Sequence, residues 1–182
     1  MTQQFTYKTK PFEHQRNALK AGANQDYYAY FMQMGTGKTK VTIDNMSYLY
    51  TQNKIDTVVV VAPNSVYQNW LIELEVHCSV PYKTFTHKLD KKYKYKEKHL
   101  NYYLINVEAF SHTKGFKLIE KLLGERGLKL AMVIDEATTI KNRTASRTKN
   151  LIKLGRGIKY KRILTGSPVT KSPLDLFAFM LI

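Results

Sequence analysis

The hexapeptide Met34-Gly35-Thr36-Gly37-Lys38-Thr39 restricts the fold more than any other segment of this chain. It follows the aromatic run Tyr27–Met32, which reads as a short strand. It opens Thr39–Tyr50, where Val41, Ile43, Met46 and Leu49 recur near helical spacing. A strand that turns through glycines into a helix points backbone N–H groups inward and forms an anion cradle. The helix adds a partial positive charge of about half a unit at its start. In this pattern the lysine, Lys38, reaches β- and γ-phosphates, and the hydroxyl of Thr39 ligates Mg2+. The strict motif has a further glycine five positions before Gly37, where this chain has Met32. The G-x-G-K-T core and its strand–helix setting remain.

The elements around this loop alternate. Phe12–Ala23 has helical spacing. Thr57–Ala62 (TVVVVA) is a β-branched run without alternation, as expected of a strand buried on both faces of a parallel sheet. Pro63-Asn64-Ser65 breaks that run and caps a helix over Val66–His77. Tyr82–Thr86, Tyr102–Val107, Leu130–Ile134 and Arg162–Thr165 read as further strands, with helices near Phe116–Leu123 and over Thr144–Leu154. This order predicts one α/β domain over residues 1–182, a mostly parallel sheet with helices on both faces. The last residues, PLDLFAFMLI, begin an apolar helix and stop within it, so the chain is expected to be a fragment of a longer protein.

Composition narrows the class. With 182 residues, 43% apolar and 24% charged, the chain suits an ordinary folded domain. The single cysteine, Cys78, excludes a disulfide scaffold and a multi-cysteine zinc site. The apolar runs are far shorter than the ~20 residues that span a bilayer, and the N-terminus lacks the apolar core of a secretory signal. A soluble protein of a reducing, intracellular compartment is expected. The net charge of +15 favours a polyanionic partner. Between Ala137 and Leu174 stand ten basic residues and no acidic one, and Lys88–Lys98 holds six lysines interleaved with Tyr93 and Tyr95. Trp70, inside an amphipathic helix, reads as core, and so does Cys78.

The second chemical signal is Val133-Ile134-Asp135-Glu136, an apolar strand ending in two carboxylates. In nucleoside triphosphatases a strand-end Asp holds Mg2+, and a neighbouring Glu polarises the attacking water. Open parallel sheets bind ligands beyond the carboxyl ends of their strands, where both motifs would lie.

Taken in order, these segments resemble the Swi/Snf-type DNA translocases of helicase superfamily two, over nearly the whole chain. Pro11-Phe12-Glu13-His14-Gln15 is similar to the adenine-reading Q motif, in which Gln15 would contact the base. MGTGKT matches motif I, so Met34, Gly35, Thr36, Gly37, Lys38 and Thr39 would hold ATP. Val59–Trp70 resembles motif Ia, whose loop, here Pro63, Asn64 and Ser65, would touch the nucleic-acid backbone. Asp135-Glu136-Ala137-Thr138 matches motif II, with Ile140-Lys141-Asn142 continuing as the family does. Leu164-Thr165-Gly166-Ser167-Pro168 matches motif III, which links the nucleotide site to the DNA track. Thr138 stands where the family usually has His, and Ser167 where it usually has Thr. The resemblance implies a first RecA-like lobe with Lys38, Asp135 and Glu136 as catalytic residues and Mg2+ on Thr39 and Asp135. It also implies double-stranded DNA as partner and a second RecA-like lobe, carrying an arginine finger, outside this chain. The short spacing between motifs suits a compact microbial or viral member.

Three other readings stand beside this one. An RNA helicase of the same superfamily shares most of the motifs. A non-catalytic nucleic-acid-binding module with an idle nucleotide site fits the charge. A small-molecule P-loop kinase fits the phosphate loop but explains neither motif III nor the charge.

Overall fold

A computed structural model describes residues 4–86, 95–111, 116–117, 120–121, 124, 127–136 and 146–166. Six strands form one sheet: β1 (Tyr27–Phe31), β2 (Thr57–Ala62), β3 (Tyr82–Thr86), β4 (Leu100–Asn106), β5 (Leu130–Ile134) and β6 (Tyr160–Thr165). Their order across the sheet is β1-β6-β5-β2-β4-β3, and every pairing is parallel. The helices whose bounds lie among the described residues are α1 (Glu13–Gly22), α2 (Lys38–Thr51), α3 (Asn64–His77) and α4 (Ser146–Gly155), with a 3₁₀ turn at Val107–Ser111.

The β2 sequence shows why the sheet is central. All six of its residues are buried, and successive valines feed two separate cores. Val58 and Val60 join Tyr102, Ala131, Val133 and Leu164 under α1, α2 and α3. Val59 and Val61 join Tyr103, Met132, Ile134 and Ile163 under α4 and the 3₁₀ turn. Period-two alternation thus sends neighbouring residues to opposite layers. Hydrophobic burial on both faces is the main term holding the sandwich together.

The α/β sandwich agrees with the sequence reading, with shifts at element ends. The turn Asn64-Ser65, expected to precede α3 as a cap, lies in its first helical turn, and Pro63 is the boundary residue. A proline before or at the first helical position loses no intrahelical bond, because the first N–H groups have no partner there. β6 starts two residues earlier than expected, at Tyr160, and takes in Lys161 and Arg162 as paired strand residues. Val107, expected to end β4, instead begins the 3₁₀ turn. Of the helix expected at Phe116–Leu123, the described residues 116, 117, 120 and 121 are helical.

Candidate nucleotide site

Parallel pairing brings three loops to one edge. Phe31 ends β1 opposite Thr165 of β6, and Ile134 of β5 pairs with Ile163 of β6. The loops at Met32–Gly37, Asp135-Glu136 and Gly166 therefore leave the sheet side by side. Pro63 follows β2 at the same edge, and the N–H of Asp135 donates to the Val61 carbonyl (2.8 Å).

The glycine loop has the backbone that its sequence demands. Gly35 and Gly37 have φ of +77° and +81°, a region costly for residues with a Cβ. Gly37 is the residue before α2 and makes the turn into it. Around Gly35 there is open space, with nothing within 4 Å of where a Cβ would stand. Neither glycine's N–H finds an acceptor among the described residues. An open, donor-lined bend at a helix start is what a polyphosphate requires. Lys38 is buried, and its Nζ donates to the Gln33 carbonyl at 3.3 Å, the kind of long bond that an anion would replace.

Residues of the first turn of α1 brace this loop. Gln15 is buried. Its Oε1 accepts from the Phe12 N–H (3.0 Å), and its Nε2 donates to the Thr36 carbonyl (3.1 Å). His14, which the sequence reading did not single out, places Nε2 3.0 Å from the same carbonyl. The amide of Gln15 also fills the space into which a Cβ on Gly37 would project.

Across the edge, Asp135 is 4% exposed. Its Oδ1 accepts from the Glu136 N–H and its Oδ2 from the Trp70 indole Nε1–H, each at 2.8 Å. Burial pushes the Asp135 carboxyl above its ordinary value. The Trp70 and Glu136 hydrogen bonds and the charge of Lys38 pull it back. Glu136 has φ +47°, a strained conformation for a non-glycine residue. Trp70 is core, as expected, but its bond to a residue 65 positions away has no signal in the sequence.

The end of β6 reaches the loop through Gly166. A Cβ there would stand 3.2 Å from Met34 Cγ and 3.4 Å from the Met34 nitrogen. Thr165 is fully buried. Met34 is exposed, as are Asn64 and Ser65 at the start of α3. Lys141, Asn142 and Ser167 lie outside the described residues, as does most of the Lys88–Lys98 run.

Among the described residues, no group of three or more His, Cys, Asp or Glu side chains is placed to enclose a metal ion. The donor set fits Mg2+ in its usual mode, in which one or two protein oxygens join phosphate oxygens and water. A threonine hydroxyl at the start of α2, Thr39, and the buried strand-end carboxylate of Asp135 are oxygen donors of that kind. No described helix is long and apolar enough to cross a membrane.

A parallel sheet with a glycine-bent loop entering a helix, faced by a strand-end carboxylate, defines the RecA-like class of nucleotide-binding domain. Residues 31–182 match the SNF2-related domain, and the chain belongs to that family. It is 26% identical over 151 residues to the ATP-dependent helicase FUN30 of Saccharomyces cerevisiae, covering 81% of this chain and 13% of that protein. It is 30% identical over 151 residues to Helicase SWR1 of Mycosarcoma maydis, covering 81% of this chain and 8% of that protein. The Sulfolobus solfataricus SWI2/SNF2 ATPase core in complex with dsDNA superposes with a TM-score of 0.77 at 24% identity, over 99% of this chain and 37% of that one. The chain thus spans a small part of the length of the relatives it matches.

Proposed function

We propose that this chain is the nucleotide-binding lobe of a DNA-dependent ATPase that moves along double-stranded DNA. The observation that supports it most is the shared sheet edge, where the donor-lined bend Gly35–Lys38 and the buried carboxylate of Asp135 flank one space. In this reading Gly35, Thr36, Gly37 and Lys38 bind the phosphate chain. Gln15 holds the loop and faces the base, and Met34 lines the entry. Thr39 and Asp135 hold Mg2+, which when bound offsets charge on the phosphate oxygens. Glu136 orients the attacking water and takes its proton. Pro63, Asn64 and Ser65 contact the DNA backbone together with Lys141 and Asn142. Thr165, Gly166 and Ser167 couple the two sites. The net charge of +15 supports a polyanionic track. The double-stranded DNA in the Sulfolobus complex favours DNA over RNA.

A second RecA-like lobe would complete the site with an arginine finger, a group worth roughly 10³–10⁵ in rate. The test is ATP hydrolysis by the full two-lobe protein with duplex DNA, with RNA and with neither. Stimulation by duplex DNA, lost in Lys38→Ala and in Glu136→Gln, is the expected result. Equal stimulation by RNA would favour the RNA-helicase alternative, and hydrolysis unchanged in both variants would overturn the assignment. Brisk turnover by these 182 residues alone would contradict the need for a second lobe.

A further inference from the structure

We propose that Trp70 is a positioning residue that sets the rotation of Asp135 for its metal and relays to it the seating of nucleic acid at Pro63–Ser65. The inference rests on the function proposed above and adds a residue with no part in the chemistry itself.

Trp70 has no solvent exposure, and a buried indole N–H needs an acceptor. Among the described residues, its acceptor is Asp135 Oδ2, at 2.8 Å. If packing alone chose the residue, phenylalanine would serve in the layer formed by Leu74, Val60 and Tyr102. The choice of an indole adds an N–H donor to this layer, aimed at the Asp135 carboxylate at the sheet edge that carries the phosphate loop.

The two oxygens of Asp135 are held by different elements. Oδ1 is held locally by the next residue's N–H, while Oδ2 is held by α3. The carboxylate plane is therefore set jointly by β5 and by a helix that begins at the candidate DNA loop. From Asn64 to Trp70 is six residues, roughly 9 Å of helix axis. A duplex phosphate docking at exposed Asn64 and Ser65 pushes on the end of a short rigid rod whose second turn holds Asp135. Hydrogen bonds weaken steeply as their angle closes, so a small tilt of α3 changes how Oδ2 is held. Partners of this outer kind typically alter metal affinity by roughly 10–100-fold when removed.

Trp70 is the sole tryptophan of the chain, so a ¹⁵N-labelled sample gives a single indole N–H resonance. The experiment uses this chain, a fluorescent ADP, Mg2+ and a short DNA duplex. In Trp70→Phe, the Mg2+ concentration for half-maximal nucleotide binding should rise about 10–100-fold over wild type. In the wild type, adding duplex should shift the indole resonance. Asp135→Asn, which keeps Trp70, should move that resonance upfield as the charge-assisted bond is lost, which supplies a test even if Trp70→Phe folds poorly. A folded Trp70→Phe with the wild-type Mg2+ requirement, an indole resonance unmoved by duplex, or one unmoved by Asp135→Asn would each overturn the inference alone. A wild type that binds neither nucleotide nor duplex overturns the proposed function and this inference with it.

Discussion

Nε of Arg162 lies 2.6 Å from Oδ1 of Asn45, in a layer that solvent does not reach. The same guanidinium donates to the carbonyls of Gly22 (3.0 Å), Asp26 (3.3 Å) and Lys161 (2.7 Å). One side chain of β6 thus joins the end of α1, the approach to β1 and the middle of α2. Burial lowers the Arg162 pKa from its ordinary value, and the charge is held by neutral acceptors instead of a contacting carboxylate. Removing it strips the charged donor from Asn45 Oδ1, which keeps only the long bond from the Tyr30 hydroxyl (3.3 Å), and from the Gly22 carbonyl, which keeps only the Gln25 N–H (3.2 Å). Arg162→Met should therefore cost roughly 3 kcal/mol, given about 1.5–3 kcal/mol for each hydrogen bond to a charged group. Lysine cannot reproduce the planar fork, so Arg162→Lys should be nearly as costly. Urea unfolding reads both, and a midpoint unchanged in either variant would refute the role.

Two substitutions in one loop should differ in kind. Gly35→Ala meets only backbone strain, because nothing lies within 4 Å of the new Cβ. Its cost should be about 1–2 kcal/mol, the usual figure for a left-handed residue with a Cβ. Gly37→Ala has the same strain and also drives a methyl into the amide of Gln15. It should destabilise further and free the Thr36 carbonyl from its brace. Adding Gln15→Ala should recover the steric part and leave the strain. Thermal denaturation of the three variants checks this, and equal losses at Gly35 and Gly37 would show that Gln15 exerts no pressure on the loop.

The contrast between Gly37 and Arg162 shows what one sequence can disclose. Gly37, Lys38 and the TVVVVA strand were legible because their chemistry is local: a turn, a helix start, a run buried on both faces. Arg162 read as one of ten cations in a basic stretch, yet it is fully buried, and the neighbouring Lys161 nearly so. Charge runs are read as solvated faces, and nothing within the run tells which member turns inward. The Trp70–Asp135 bond was hidden for a related reason: its partners are brought together by the β2–β5 pairing, which depends on the whole sheet order. The helix starts at Asn64, two residues before the expected Val66, because serine and asparagine suit a cap and a first turn alike.

Cys78 should behave as a core atom group. Burial pushes its thiol pKa up, opposed by hydrogen bonding with the Val80 backbone and with Ser47 Oγ (3.7 Å). The folded chain then keeps a proton that the unfolded chain loses, so the folded state binds more protons across that window. Stability should accordingly fall as pH rises through and above the ordinary thiol range, about 8.5. Cys78→Ala should flatten that alkaline slope below the tyrosine range. A thiol-reactive dye should label the native chain slowly and the urea-unfolded chain at once. Rapid native labelling would show that the thiol is not enclosed.

Lys38 separates folding from binding. Its ammonium is buried, but its one bond to a described residue is the long contact with the Gln33 carbonyl. The fold therefore gains little from the charge, and Lys38→Met, of similar length, should melt within about 1 kcal/mol of wild type in the absence of nucleotide. In the proposed function, by contrast, the phosphates lose their cation outright. Ligand that binds only the folded state adds RT ln(1 + [L]/Kd), about 2.7 kcal/mol at a hundredfold excess over Kd. Wild type should thus gain several degrees of melting temperature with saturating Mg·ATP, while Lys38→Met at the same concentration gains almost none. If the variant keeps the full shift, the phosphates do not lie against Lys38, and the anion cradle at Gly35–Lys38 is not where the nucleotide binds.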